Sequence, residues 1–318
     1  MFKKISTYFL YTVASIFFVF LVINFFFIEK TVSDIALLVG PHNVELRFAL
    51  ASDMRGFGEP SFPGEEYMRG GLEAIKELNP DFIIVVGDMD PVNDLDNMIK
   101  KYIGENFIWY PVMGNHELPN QGNEEEEGNN LRYLRDFVLS NVNSGPKECS
   151  NTTYSFNYTD IHFVVLNEYC DISGDSSTDG KISELLSSWL QEDLESNTLD
   201  RVIVIGHEPA FVFSDEESLR IRHEEDSLNQ YLRERDYFWK LLEEYEVDAY
   251  LCGHTHNYSS YDINGTWQID SGHMRGIGDD GALSTFVFFT VYDDVINVDT
   301  YRAEENGLNY SIYESFEI

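Results

Sequence analysis

Phe82-Ile83-Ile84-Val85-Val86-Gly87-Asp88-Met89-Asp90 decides the architecture. An unbroken apolar run of this length, rich in β-branched residues, reads as a strand buried on both faces. The glycine then lets the backbone turn sharply, and carboxylates follow at once. The same order, apolar strand and then polar loop, recurs along the chain. Leu50-Ala51 leads to Asp53-Met54-Arg55, and Pro111-Val112-Met113 to Gly114-Asn115-His116-Glu117. Residues 202–205 lead to Gly206-His207-Glu208-Pro209, and Tyr250-Leu251-Cys252 to Gly253-His254-Thr255-His256.

Between these strands lie helical stretches. Residues 68–78, about 95–103, 131–139 and 183–194 read as helices, the last with Leu185, Leu186, Trp189, Leu190 and Leu194 on one side. Residues 227–245 read as one long charged helix. Residues 44–51, 82–86, 107–113, 202–205 and 247–252 read as strands, and the Phe-, Tyr-, Val- and Thr-rich tail from 266 to 318 as mostly strands. The alternation predicts an α/β fold. In open α/β sheets the ligand crevice lies at the carboxyl ends of the strands, so the five polar loops should converge there. The acidic runs Glu124–Glu127 and Glu224-Glu225-Asp226 read as solvated insertions without chemistry.

Asp and His are oxygen and nitrogen donors suited to Mn, Fe or Zn, and a carboxylate can bridge two ions. Two ions about 3.5–4 Å apart can polarise a phosphate and present a hydroxide for in-line displacement. Each motif alone carries little: Gly-Asp after a strand is usually a turn, and a single His is more often structural. Together, in this order and each at a strand end, they point to one site.

The series resembles the calcineurin-like metallophosphoesterase signature, D-x-H, G-D-x-x, G-N-H-[E/D], G-H-x-x and G-H-x-H, over residues 44 to about 272. The resemblance implies a layered α-β-β-α sandwich with two divalent or trivalent ions between its sheets. It implies Asp88 as the bridging ligand, Asn115, His207 and His254 on one ion, and Asp53 and His256 on the other. A metal-bound hydroxide would attack phosphorus while His116 protonates the leaving oxygen. The first motif departs from the pattern, because Arg55 stands where the family has a ligand His and a guanidinium cannot ligate a metal. The purple acid phosphatases, which also lack that His, use a Tyr at the position occupied here by Pro91. One ion site is therefore short of a ligand, and is weak or empty unless Asp90 substitutes. Arg55 itself is a candidate for holding substrate phosphate.

The chain carries a net charge of −35, with 21 Lys and Arg against 56 Asp and Glu. That excludes nucleic acid as a partner and leaves a phosphate ester dependent on local positive charge. Lys3 and Lys4 precede an uncharged run, Phe9 to Phe27, long enough to span a bilayer as a helix. No small-x-small cleavage pattern follows at Ile28-Glu29-Lys30. The expected organisation is a cytoplasmic stub (1–8), a membrane anchor (9–28), a linker (29–43) and an extracytoplasmic phosphoesterase domain (44–318), β-rich from about 266. Residues 153–158 and 161–169 read as a hairpin turning at Thr159-Asp160. If that turn sets the register, Cys149 falls opposite Cys170, which allows a disulfide as well as two free thiols. A phosphate-ester hydrolase is the leading function. A membrane-tethered sensor or binding protein with a degenerate single-metal site is the alternative, and Arg55 is its support.

Overall fold

Strand β1 (Val44–Ala51) divides its side chains between two cores. Leu46, Phe48 and Leu50 enter one, while Ala49 and Ala51 enter another. That division is the period-two geometry of a strand buried on both faces. In the computed structural model of the chain, residues 44–55, 64–118, 124–137, 139–175, 179–277 and 281–318 are described. The proposed anchor, residues 9–28, lies outside them. Among the described residues no helix is long and apolar enough to cross a membrane.

One sheet is built on β1, β2 (Phe82–Val86) and β3 (Ile108–Val112), which run parallel. The other parallel core comprises β6 (Ile161–Val165), β9 (Arg201–Ile205), β10 (Ala249–Cys252) and β12 (Thr266–Ser271). Strands β4 (Asn143–Ser144) and β11 (Tyr258–Ile263) lie at the edges of its sheet, and β7 (Cys170–Asp171) and β8 (Gly174–Asp175) pair separately. Three strands of the tail, β13 (Thr285–Tyr292), β14 (Ile296–Ala303) and β15 (Tyr310–Glu317), extend the first sheet antiparallel from β1. Between the sheets Phe48 stacks on Phe289 and meets Phe163 edge to face. Ile83, Val85 and Ala51 pack outward on α1 (Gly64–Glu77), α2 (Val92–Tyr102) and α3 (Glu124–Asp136) through Leu72, Leu95, Ile99 and Leu134. On the far side Val164, Val204 and Tyr250 pack against Leu186 and Leu190 of α4 (Glu184–Ser196) and Phe238 and Leu242 of α5 (Leu232–Glu244). The layers are therefore α-β-β-α.

Two helix readings need correction. Helix α3 begins at Glu124, so the acidic run read as a loop opens a helix and the helix ends at Asp136 rather than 139. Glutamate is a good helix former, and apolar periodicity alone misses a polar first turn. The span 227–245 is split, with a 3₁₀ turn at Leu228–Tyr231 before α5. Tyr231 takes a non-helical backbone there, with φ −113° and ψ 65°. The hairpin of β5 (Tyr154–Tyr158) and β6 pairs Tyr158 with Ile161, and Cys149 is bonded to Cys170. Cys252 is a buried free thiol in the core.

Candidate metal centre

All five polar loops leave the carboxyl ends of parallel strands, three from one sheet and two from the other. Four of the candidate ligands sit in the left-handed backbone region: Asp53 (φ 52°), Asp88 (φ 51°), His254 (φ 69°) and His256 (φ 57°). Non-glycine residues adopt that region rarely, and its clustering marks a site whose surroundings hold the backbone in place. Gly87 (φ +73°) is required for closeness, because a Cβ there would lie 2.3 Å from His207 Nδ1. It lets the loops of the two sheets touch.

Side-chain oxygens of Asp53 and Asp88 and a ring nitrogen of His207 lie within 4.8 Å of one another, all buried. Hydrogen bonds fix which nitrogens carry protons. His207 Nδ1 is 2.8 Å from Val86 O, and a carbonyl only accepts, so Nδ1 holds the proton and Nε2 a lone pair. His254 Nε2 donates to Asp226 O at 2.6 Å, which leaves the lone pair on Nδ1. Those two lone pairs face each other at 3.3 Å. His207 Nε2 is also 3.5 Å from Asp88 Oδ1. Asn115 Oδ1 is buried without a hydrogen-bond partner among the described residues. Converging acceptors with no hydrogen among them repel unless a cation lies between them. Burial, with His207 and His223 nearby, lowers His254 to about 3, so the imidazole is neutral as a ligand must be. Asp88, His207 and His254 thus offer a donor set that fits a metal ion, and Asn115 Oδ1 is a further unsatisfied donor in the adjoining motif.

The ends of these loops are fixed by carboxylates that the sequence reading passed over. Glu117 accepts the backbone N–H of Asp88 (3.0 Å), Met89 (2.8 Å) and Gly114 (2.8 Å), tying two loops together. Glu168 accepts the N–H of His207 (2.9 Å) and Glu208 (2.6 Å) and the Tyr250 hydroxyl (2.6 Å). Glu117 stands beside His116 within a motif already in view. Glu168 carries no local signal.

The other half of the centre is arranged differently. Asp53 Oδ2 accepts the His254 N–H at 2.8 Å, and Oδ1 lies 3.2 Å from His256 Nε2. Arg55 bonds His116 Nε2 and approaches Asp88 Oδ2 and Asp90 Oδ1, each at 3.8 Å. Asp90 therefore faces a guanidinium and is not one of the Asp53–Asp88–His207 group. His116 is half-buried, its N–H donating to Asp88 Oδ1 at 3.1 Å.

Glu224-Glu225-Asp226, read as chemically inert, belongs to a segment that touches the site. Asp226 O holds His254 as above. Arg222 donates to His256 Nδ1 at 2.6 Å and to His223 Nε2 at 3.1 Å. His223, Asp226 and His254 are close enough to form a second candidate cation group. Since Arg222 donates to His223 Nε2, the His223 proton is on Nδ1, facing Asp226 Oδ2 at 3.3 Å. That group is satisfied internally. The signal for the segment was Arg220-Ile221-Arg222-His223, a basic cluster in a strongly acidic chain.

A family model described as "Calcineurin-like phosphoesterase" matches residues 46–258. Human tartrate-resistant acid phosphatase type 5 is 24% identical over 254 residues, covering 71% of this chain and 72% of its own length. Among solved structures, purple acid phosphatase PPD1 of yellow lupin (Lupinus luteus) superposes with TM-score 0.61 at 16% identity. That match covers 86% of this chain and 53% of the lupin chain. A dimetal phosphatase of Danio rerio gives TM-score 0.57 at 13% identity, over 85% of this chain and 99% of its own.

Proposed function

Because this chain belongs to the calcineurin-like phosphoesterase family, a family of phosphoester hydrolases, we propose that it cleaves phosphate monoesters or diesters with a metal ion held by Asp88, Asn115, His207 and His254. The observation that carries this reading is the pair of facing lone pairs on His207 Nε2 and His254 Nδ1, 3.3 Å apart beside Asp88. A Mn, Fe or Zn ion bound there would polarise the phosphate and acidify water. The remaining work falls to the chain. His116, on the rim beside Asp88, would protonate the leaving oxygen once Arg55, which donates to its Nε2 here, turns to the substrate phosphate. Arg55 supplies a donor-only, always charged fork for phosphate oxygens in a protein whose net charge opposes anions. Asp53 holds the His254 backbone and lies within reach of the ion.

The test is turnover of an aryl phosphate and a bis-aryl phosphodiester by the metal-loaded chain, with and without chelator. Chelation should remove turnover and added Zn²⁺ or Mn²⁺ restore it. Arg55→Ala should lower kcat/KM by roughly 10–100-fold, the usual worth of a charge-assisted hydrogen bond. No turnover of any ester by a metal-loaded chain would favour the tethered binding protein instead.

The domain is proposed to act outside a membrane, held by residues 9–28 with Lys3 and Lys4 on the cytoplasmic side. Alkaline carbonate should leave the full-length protein in the membrane pellet, with residues 44–318 open to external protease. A shortened chain in the soluble fraction would mean a cleaved leader.

A further inference from the structure

Arg222 lies in a segment that the structure holds firmly. At its start Asp215, fully buried, pairs with Arg302 of β14 at 2.6 Å, and Arg302 also bonds Glu217 at 2.7 Å. Asp215 further accepts the N–H of Ser218 (2.8 Å) and Tyr258 (3.2 Å). Arg220 then donates to Asn257 Oδ1 at 2.8 Å and to His256 O at 3.0 Å. Arg220 thus grips the His256 backbone while Arg222 grips its ring.

The contact with the ring has a chemical consequence. A guanidinium has donors only, so His256 Nδ1 must accept and the ring proton must sit on Nε2. That nitrogen lies 3.2 Å from Asp53 Oδ1 without hydrogen-bonding it, on the side where a second ion would need a lone pair. His207 and His254 are held in the opposite sense, by carbonyls that draw the proton away from the centre. Three histidines at one site are therefore sorted by their outer partners, two for metal and one against it. On the other side of the same half-site, Arg55 takes the ligand position and puts its charge 3.8 Å from Asp88 Oδ2.

We infer that the second ion of this fold is replaced by guanidinium charge, Arg55 supplying the cation and Arg222 locking His256 as a non-ligand, so that the centre holds a single ion. This rests on the metal-dependent reading above and narrows it. Arg55 stands in for the second cation and is not removable by chelation. A substrate phosphate would then meet one exchangeable ion and one fixed cation.

The experiment is zinc stoichiometry on the full-length chain, by elemental analysis after equilibration with excess Zn²⁺ and removal of free metal. Wild type should hold one zinc per chain. Arg55→His combined with Arg222→Ala should hold two, and His256→Ala one. Circular dichroism of each variant checks folding, and Arg222→Lys, still a donor to Nδ1, should stay at one. Two zinc ions in wild type would overturn the inference and leave the hydrolase reading standing. Loss of the ion in His256→Ala, or a double variant that stays at one, would overturn it equally. A wild type that binds none would overturn both.

Discussion

Asp88→Ala is expected to remove metal and activity together. Asp88 is buried where the contacts of His116, His207 and Arg55 meet. Its Oδ1 accepts the His116 N–H at 3.1 Å and lies 3.5 Å from His207 Nε2. Its Oδ2 faces His116 Nε2 at 3.7 Å and Arg55 at 3.8 Å. Burial would by itself raise this carboxyl, but His207, His116 and Arg55 hold it below the usual carboxylate range, so it is anionic. Removing one member of a buried charged cluster costs about 3–5 kcal/mol of stability, and here the member removed is also the anion that would hold the ion. Elemental analysis should find the variant nearly free of zinc under conditions that load wild type. Turnover should fall at least in proportion. A variant that kept wild-type zinc would show that Asp88 is no ligand.

The polar loops that meet at the site were readable because each follows an apolar run at the carboxyl end of a strand. The predicted strand 82–86 coincides with β2, since side chains on both faces are buried and the flanking Asp81 and Gly87 bound it sharply. The register of the β5–β6 hairpin followed from one tight turn, as short-range geometry can. The segment 214–227 was not readable, because nothing periodic marks it. Its position depends on Asp215 meeting Arg302, 87 residues away. Its chemistry depends on which ring nitrogen each histidine protonates, which only the partners' positions decide. Acidic letters misled twice. In α3 they form a helical first turn, and in Asp226 the backbone carbonyl, not the carboxylate, bonds His254.

His116→Ala should separate chemistry from metal binding, unlike Asp88→Ala. His116 shares the Asn115–Glu117 turn with a candidate ligand, yet its ring points to Arg55 and its only tie to Asp88 Oδ1 is through the backbone N–H. An alanine keeps that N–H, so the Asp88 geometry and the ion should persist. What is lost is the proton donor, whose usual contribution is roughly 10²–10⁴ in rate. The loss should appear in kcat on poor leaving groups and shrink on a good one such as a nitrophenolate, which departs without help. Burial first, and then Arg55, hold His116 below its ordinary value of 6.5, against the opposing pull of Asp88. A general acid works only when protonated, so wild-type kcat/KM should decline as pH rises through a value under 6.5. Arg55→Ala removes one of the lowering charges and should move that limb to higher pH. His116→Ala should lose the limb altogether. Equal losses for good and poor leaving groups, or loss of zinc from His116→Ala, would assign this histidine to holding the ion rather than to moving the proton.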